Sequence, residues 1–239
     1  ELSDIFGEVS PTLPFSNTLN IKVTNSLHED WKIFLNAGDE EIFIIGNPPY
    51  VGSSMQNNAQ KNDMNFVLGN YSNYKNLDYI ACWFEKGSQF ISKTPNSSMA
   101  LVSTNSITQG EQVDLLWPNI DKLGVSINFA YHSFKWKNNA QHNAGVTCCI
   151  LGLAKKNNKP KYIYDSAGLK IKASNINPYL IDDDFVTIKR MGKPLSNIPE
   201  MRKGNMPTDG GNLILNNNEY YELINNYPES KKLLKKYIG

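Results

Sequence analysis

Four consecutive residues, Asn47-Pro48-Pro49-Tyr50, carry the most specific chemistry in this 239-residue sequence. They follow an apolar run at residues 41–46, and open α/β sheets bind ligands beyond the carboxyl ends of their strands. Because proline has no N–H, the Pro48 carbonyl can point outward beside the Asn47 side-chain acceptor, and Tyr50 adds a flat ring. Two acceptors and a stacking surface suit a planar group that carries an NH2, such as a nucleobase amine or an amide. The alternative is simple turn punctuation, since Asn-Pro commonly begins a turn.

Apolar runs and helical periodicity predict the elements that position this motif. The run at residues 41–46 is typical of a strand buried on both faces of a parallel sheet. Residues 20–23 predict an earlier short strand, whereas residues 52–76, rich in Asn, Ser and Gln, predict a mobile loop. Residues 77–91 carry apolar side chains at every third or fourth position and predict an amphipathic helix. Residues 99–103 predict a second buried strand.

Further along the chain, two strands follow each other directly. Residues 111–117 predict a short helix that Pro118 stops. Residues 125–131 and 146–153 predict successive strands, so the fold class is an α/β sheet that ends in an antiparallel hairpin. A weakly strand-like, lysine-rich segment (155–172) and a basic helical stretch (219–238) come after it.

Composition excludes several broad classes. The net charge of +1 gives no global basic field, and 40% hydrophobic residues are enough for a packed core. No apolar run approaches the roughly 18 residues of a membrane span, and we expect neither a membrane partner nor a secretory leader. Three cysteines cannot form a disulfide framework, which favours the reducing cytoplasm. A chain that opens without Met is expected to be a piece of a longer protein.

Several blocks of this sequence resemble one family. The Asn47–Tyr50 motif with its preceding glycine resembles the catalytic motif of S-adenosylmethionine-dependent amino-methyltransferases. The wider pattern is similar to single-chain Type II restriction–modification enzymes that methylate adenine N6 in DNA. The resemblance covers about residues 20–239, and its blocks are Ser103–Gln112, Phe134-Lys135-Trp136 and Met201–Gly211. It implies a Rossmann-like methyltransferase sheet followed by the start of a second, mixed domain for target recognition.

Carried over to this sequence, the resemblance implies that an adenine is flipped out of duplex DNA. Tyr50 then stacks on the base, while the Asn47 side chain and the Pro48 carbonyl accept hydrogen bonds from its amino group, within the catalytic motif that includes Pro49. Phe134 and Trp136 form the far wall of the base pocket, or alternatively pack at a hairpin tip.

The resemblance implies S-adenosylmethionine as the cofactor. Asn25-Ser26-Leu27 resembles the segment that contacts the cofactor's adenine ring, with Asn47 near the methyl group; the alternative for Asn25 is a helix cap. The family's glycine-rich turn and its ribose-binding acidic residue are absent from this sequence. We therefore expect weak or no cofactor binding by this chain alone.

Basic residues after the hairpin are candidates for DNA contact. Lys189, Arg190, Arg202 and Lys203 contact phosphates on this hypothesis, or alternatively form a solvated face. The resemblance also allows a nuclease domain in the parent chain. Scattered histidines predict no metal site. Asp78 is expected either to cap the helix at 77–91 or to reach the pocket.

The predicted organisation has three parts. Residues 1–160 form a truncated catalytic core, residues 161–186 a connector, and residues 187–239 the beginning of a target-recognition region. Two other functions stay open: methylation of another amine (a protein glutamine amide or cytosine N4), and a non-catalytic DNA-binding module.

Overall fold

The computed structural model describes residues 21–35, 41–135, 147–194, 196–199 and 209–236. The chain forms two compact units, Glu1–Arg190 and Met191–Gly239. The division into parts at residues 160 and 186 stays a prediction.

Over its described residues, the first unit contains one mixed sheet with three α-helices. The strands are β1 (Ile42–Gly46), β2 (Ser97–Thr104), β3 (Val125–Lys135), β4 (Thr147–Lys155), β5 (Lys161–Tyr164) and β6 (Lys170–Ala173). The helices are α1 (Asn58–Leu68), α2 (Ala81–Lys93) and α3 (Gly110–Lys122). Short 3-10 turns lie at Trp31–Phe34, Ser53–Met55, Tyr74–Asn76 and Asn105–Thr108.

The strand order is β1-β2-β4-β3-β5-β6. β1 runs parallel to β2, and β4 lies antiparallel between β2 and β3. This arrangement confirms the α/β class and the antiparallel hairpin. The sheet continues beyond that hairpin, because β5 pairs in parallel with β3 and forms a second hairpin with β6. Gly46 pairs with Leu101 near the end of β2, so the carboxyl ends of β1 and β2 meet at the same edge.

One face of the sheet holds the core. Side chains alternate between buried and half-buried along β2, and the buried ones, such as Met99 and Leu101, belong to the cluster that includes α2 and α3. The prediction that β1 is buried on both faces was wrong, since Phe43 is 63% and Ile45 81% exposed. Within the described part of the chain β1 pairs with β2 alone, so its apolar run reflects strand propensity more than two-sided burial.

Two other segments near β1 differ from the predictions. Residues 21–23 do not form a strand, and Ile21 and Val23 are exposed. The predicted loop at 52–76 contains the eleven-residue helix α1. A capping box starts α1, in which Asn57 and Gln60 each bond the other's backbone N–H. Only two apolar side chains of this helix are buried, Met64 and Leu68, which explains why apolar periodicity missed it.

Proline affects the two remaining helices differently. Pro118 lies inside α3 and does not stop it, because Leu116, Trp117 and Ile120 are buried around it and outweigh one lost backbone hydrogen bond. In the second unit, α4 (Asn217–Asn226) ends before Pro228, and a separate 3-10 turn follows at Pro228–Lys232. The predicted basic helical stretch at 219–238 is thus divided, over its described residues, into an α-helix and a 3-10 turn. Among the described residues, no helix has both the length and the apolar character needed to cross a bilayer.

Candidate active site

The motif Asn47–Tyr50 follows β1 at the edge of the sheet where β2 also ends. Asn47 is exposed, and its side chain makes no hydrogen bond to the described residues. Pro48 is buried, Pro49 is exposed, and Tyr50 is half-buried against the core. Within the described part of the chain, the motif thus combines a buried Pro48 with an exposed Asn47 amide that has no protein partner, an arrangement suited to a pair of ligand-facing acceptors.

Val51, the residue after the motif, is hydrogen-bonded through both its N–H and its carbonyl. The Val51 N–H donates to Asp78 Oδ1 at 3.0 Å. The Val51 carbonyl accepts from the Tyr79 N–H at 3.0 Å and from Gln56 Nε2 at 3.1 Å. Asp78 Oδ1 also accepts the Ile80 N–H at 3.1 Å, so it joins the residue after the motif to the turn that precedes α2; the N-cap of α2 is Ile80, without a side-chain cap bond. Burial raises the pKa of the Asp78 carboxyl, against the effect of these two backbone donors.

The block Ser103–Gln112 supports the same edge. Gln112, on α3, accepts the Asp78 N–H at 2.9 Å and donates to the Asn76 carbonyl at 2.8 Å. Asn105 Oδ1, just past β2, accepts from Ser133 Oγ of β3 at 2.6 Å. This block therefore fixes the segment behind the motif and joins the ends of two strands.

Tyr50 and Phe134 each neighbour Cys148. In the sheet register, Cys148 of β4 lies opposite Phe134 of β3, and the Tyr50 hydroxyl is hydrogen-bonded to the Cys148 thiol. Burial raises the pKa of Tyr50, and Cys148 adds to this effect. Sequence reasoning assigned Cys148 to the core, and it is fully buried. Trp136, the other predicted wall residue, lies outside the described residues.

The segment Asn25–Leu27 is held tightly by its surroundings. Asn25 Oδ1 accepts the Leu27 N–H at 3.0 Å, which forms an Asx turn and not a helix cap. The Trp31–Phe34 turn has its own cap, Asp30. Ser26 Oγ accepts from Trp83 Nε1 at 3.1 Å. Leu27 is fully buried, and both of its backbone polar groups are satisfied, because its N–H donates to Asn25 Oδ1 and its carbonyl accepts from Lys86 Nζ at 2.8 Å.

Asp63 on α1 is a buried carboxylate that sequence reasoning missed. It accepts from Asn25 Nδ2 (3.1 Å to each oxygen), His28 Nε2 (2.7 Å) and the Tyr79 hydroxyl (2.5 Å). Burial opposes its ionisation most strongly, but the hydrogen bonds from Tyr79, His28 and Asn25 outweigh burial and lower the pKa of Asp63. The spacing Asn57-x-x-Gln60 was the available signal for the helix that carries it.

Asp63→Asn is expected to lower stability in a pH-dependent way. The folded-state pKa lies below that of an unfolded aspartate, about 3.9, so the charged form stabilises the fold fully above that pH. At neutral pH the variant should lose about 1.5–3 kcal/mol, the range for hydrogen bonds to a charged group. The difference from wild type should shrink as pH falls through the folded-state pKa, as measured by urea unfolding between pH 3 and 7. Exposed Asp184→Asn is the matched control, and an equal loss at every pH would contradict the assignment.

The predicted DNA-binding residues lie partly within the described chain. Lys189 and Arg190 are exposed, and Arg190 Nη1 is 3.9 Å from Glu111 Oε2. Arg202 and Lys203 lie outside the described residues. Across the part of the chain that the structure describes, no group of three or more His, Cys, Asp or Glu side chains could hold a metal ion.

A parallel β1–β2 pair, an antiparallel strand inserted beside it and an Asn-Pro-Pro-Tyr motif after β1 define a portion of a Rossmann-like methyltransferase domain. The chain belongs to the family of the MmeI DNA-methyltransferase domain, whose model matches residues 1–165. The model of the MmeI target recognition domain matches residues 182–239.

Two proteins illustrate this similarity. The chain is 44% identical over 239 residues to DNA methyltransferase A of Bacillus subtilis (strain 168), covering 99% of this chain and 27% of that protein. It is 42% identical to the solved structure of the Type IIL restriction-modification enzyme MmeI in complex with DNA, with a TM-score of 0.86. That match covers 100% of this chain and 32% of the MmeI chain. The chain thus spans about a third or less of the relatives it matches.

Proposed function

We propose that this chain is the catalytic portion of an enzyme that methylates the N6 amino group of adenine in duplex DNA, within a restriction–modification protein. The main observation behind this proposal is the exposed Asn47 amide at the carboxyl end of β1, beside a buried Pro48 and a hydrogen-bonded Val51. Membership in the MmeI methyltransferase family and the match to its target recognition domain support DNA as the substrate.

The motif is suited to bind and polarise an amino group. Asn47 Oδ1 and the Pro48 carbonyl each accept a hydrogen bond from this amino group. These two bonds draw the nitrogen lone pair out of conjugation with the ring and towards the methyl donor. Anchoring of Val51 by Asp78 and Tyr79 keeps these acceptors in place before the base arrives. Pre-organised acceptors of this kind lower the barrier without a covalent intermediate.

Tyr50 supplies the stacking face for the flipped base. Its hydroxyl is tied to buried Cys148, and Cys148 in turn lies opposite Phe134 in the sheet, which supports a place for the Tyr50 ring on the same side of the pocket. The ring also favours the positive charge that builds on the amine during methyl transfer, through a cation–π interaction. We assign Phe134 and Trp136 to the far wall of the pocket.

The residues present fit S-adenosylmethionine at two points. Asn25 Oδ1 accepts one hydrogen bond from Leu27 N–H, and an amide oxygen can accept two, so one remains for an adenine amino group. The exposed Asn47 lies at the sheet edge where this fold class binds its ligand. When bound, this cofactor supplies an electrophilic methyl group on a sulfonium. Asn25, Ser26 and Asn47 are the residues that we expect to contact it, and buried Leu27 holds their segment in place.

Nucleoside analysis tests the proposal directly. The full-length protein is incubated with S-adenosylmethionine and duplex DNA, the DNA is digested, and methylated nucleosides are identified by mass spectrometry. N6-methyladenine supports the proposal. N4-methylcytosine would assign the same motif to another base, and no methylated base from a folded, cofactor-binding protein would overturn a DNA substrate.

Salt dependence of DNA binding tests the basic residues. The DNA association constant falls with salt, and each lost phosphate contact reduces the steepness of log K against log salt concentration by about 0.9. Replacing both Arg202 and Lys203 with Ala should therefore reduce this steepness by about 2. The double variant Lys189→Ala, Arg190→Ala is expected to lower the slope in the same way, but by less, because Glu111 already neutralises part of the Arg190 charge. Lys93→Ala, at the end of α2 and next to the amino end of β2, is the control. An unchanged slope would assign these residues to a solvated face.

A further inference from the structure

Asp63 lies at the centre of a hydrogen-bond network that joins two separate parts of the site. One carboxylate, 8% exposed, accepts from Asn25 Nδ2 and from the Tyr79 hydroxyl. The two donors come from segments far apart in sequence, one before β1 and one at the start of α2. His28 Nε2 completes the set at 2.7 Å, and its ring stacks on Phe66 of α1.

Tyr79 connects this network to the catalytic motif. Its hydroxyl donates to Asp63 Oδ2, while its backbone N–H donates to the Val51 carbonyl at 3.0 Å. The path Asn25–Asp63–Tyr79–Val51 therefore consists of three direct hydrogen bonds. It links the segment proposed to contact the cofactor's adenine with the residue that follows Tyr50.

The same network fixes the orientation of the Asn25 amide. Its NH2 faces the Asp63 carboxylate, so its oxygen faces the Leu27 N–H and any ligand donor. A neutral amide at position 63 could not accept from every one of these donors, and its own NH2 would oppose one of them. Asn25 would then turn or shift.

We propose that Asp63 is a positioning residue that fixes the Asn25 side chain for cofactor recognition and, through Tyr79, couples it to the catalytic motif. This inference rests on the proposed function. Asp63 and Tyr79 act through other residues and are not assigned a contact with cofactor or base.

A double-mutant cycle tests this coupling by calorimetry of S-adenosylmethionine binding to the full-length protein. Asn25→Ala and Asp63→Asn are each expected to raise the cofactor Kd about tenfold. The double variant should also show about tenfold, because Asp63 has no further effect once the Asn25 amide is gone. The KM for DNA should stay within about twofold of wild type. An approximately hundredfold, multiplicative increase in Kd, or an unchanged Kd in Asp63→Asn, would overturn the proposal.

Tyr79→Phe provides a second variant that keeps the ring and the backbone bond to Val51. It should raise the cofactor Kd about threefold, and again show no added effect in the Asn25→Ala background. Tyr74→Phe is the matched control, since it removes a hydroxyl bond to Asn65 on the same helix at 2.8 Å without touching Asp63. If Asp63→Asn does not fold, the Tyr79→Phe cycle decides alone, and an unchanged Kd overturns the coupling. A folded wild-type protein that binds no cofactor would instead overturn the proposed function itself.

Discussion

Asn47→Ala is expected to lower kcat for methyl transfer about 100- to 1000-fold, the loss measured when one pre-organised transition-state hydrogen bond is removed. The side chain is exposed and makes no hydrogen bond to the described residues, so the fold should keep its stability within about 0.5 kcal/mol. Transfer of a labelled methyl group to DNA measures the rate, and thermal melting measures the stability. A large loss in rate with a small loss in stability follows from the proposed role, because the Asn47 side chain is exposed and lies outside the core.

Asn62→Ala is the matched control for this experiment. Asn62 is another exposed asparagine, on the helix α1 and outside the motif. It should leave both kcat and melting temperature near the wild-type values. A fully active Asn47→Ala protein would remove the motif from catalysis and return it to the role of turn punctuation.

Tyr50→Leu is expected to lower kcat/KM about 10- to 100-fold, whereas Tyr50→Phe should stay within about threefold of wild type. Stacking of a base on an aromatic ring contributes about 1–3 kcal/mol, and leucine keeps the apolar bulk without the π face. Phenylalanine keeps the ring and loses only the bond between the Tyr50 hydroxyl and Cys148. The two variants therefore separate stacking from packing.

Melting temperatures complete the Tyr50 comparison. Tyr50 packs half-buried against the core, so both substitutions are expected to shift the melting temperature by similar, small amounts. Equal activity of the Leu and Phe variants would show that the pocket needs an apolar side chain at this position and no aromatic platform.

The order of elements around the motif could be predicted from sequence, because it depends on local patterns. Continuous apolar runs predicted β1 to β4, and recurring apolar residues predicted α2. The helix α1 could not be predicted in this way, since its polar sequence buries only Met64 and Leu68 among its apolar side chains. Pro118 misled the prediction for α3 because burial of Trp117 and Ile120 overrides a local helix breaker.

The motif Asn47–Tyr50 could be singled out from its residue types and its place after a strand, and its catalytic role stays a proposal. The side chains that hold its surroundings in place could not be recognised in this way. Asp63, Asp78, Tyr79 and Gln112 are ordinary polar residues in the sequence, and their partners lie 16 to 38 positions away.

The sequence by itself determined the α/β class and the identity of the motif, because strand and turn preferences act over a few residues. It also allowed the family resemblance to be recognised. The tertiary structure alone decided which carboxylates hold the segments around Asn47–Tyr50 and Asn25–Leu27. Hydrogen bonds between distant segments depend on how strands and helices pack, and the Asp63 carboxylate acquires its four donor contacts only when Asn25, His28 and Tyr79 are brought around it.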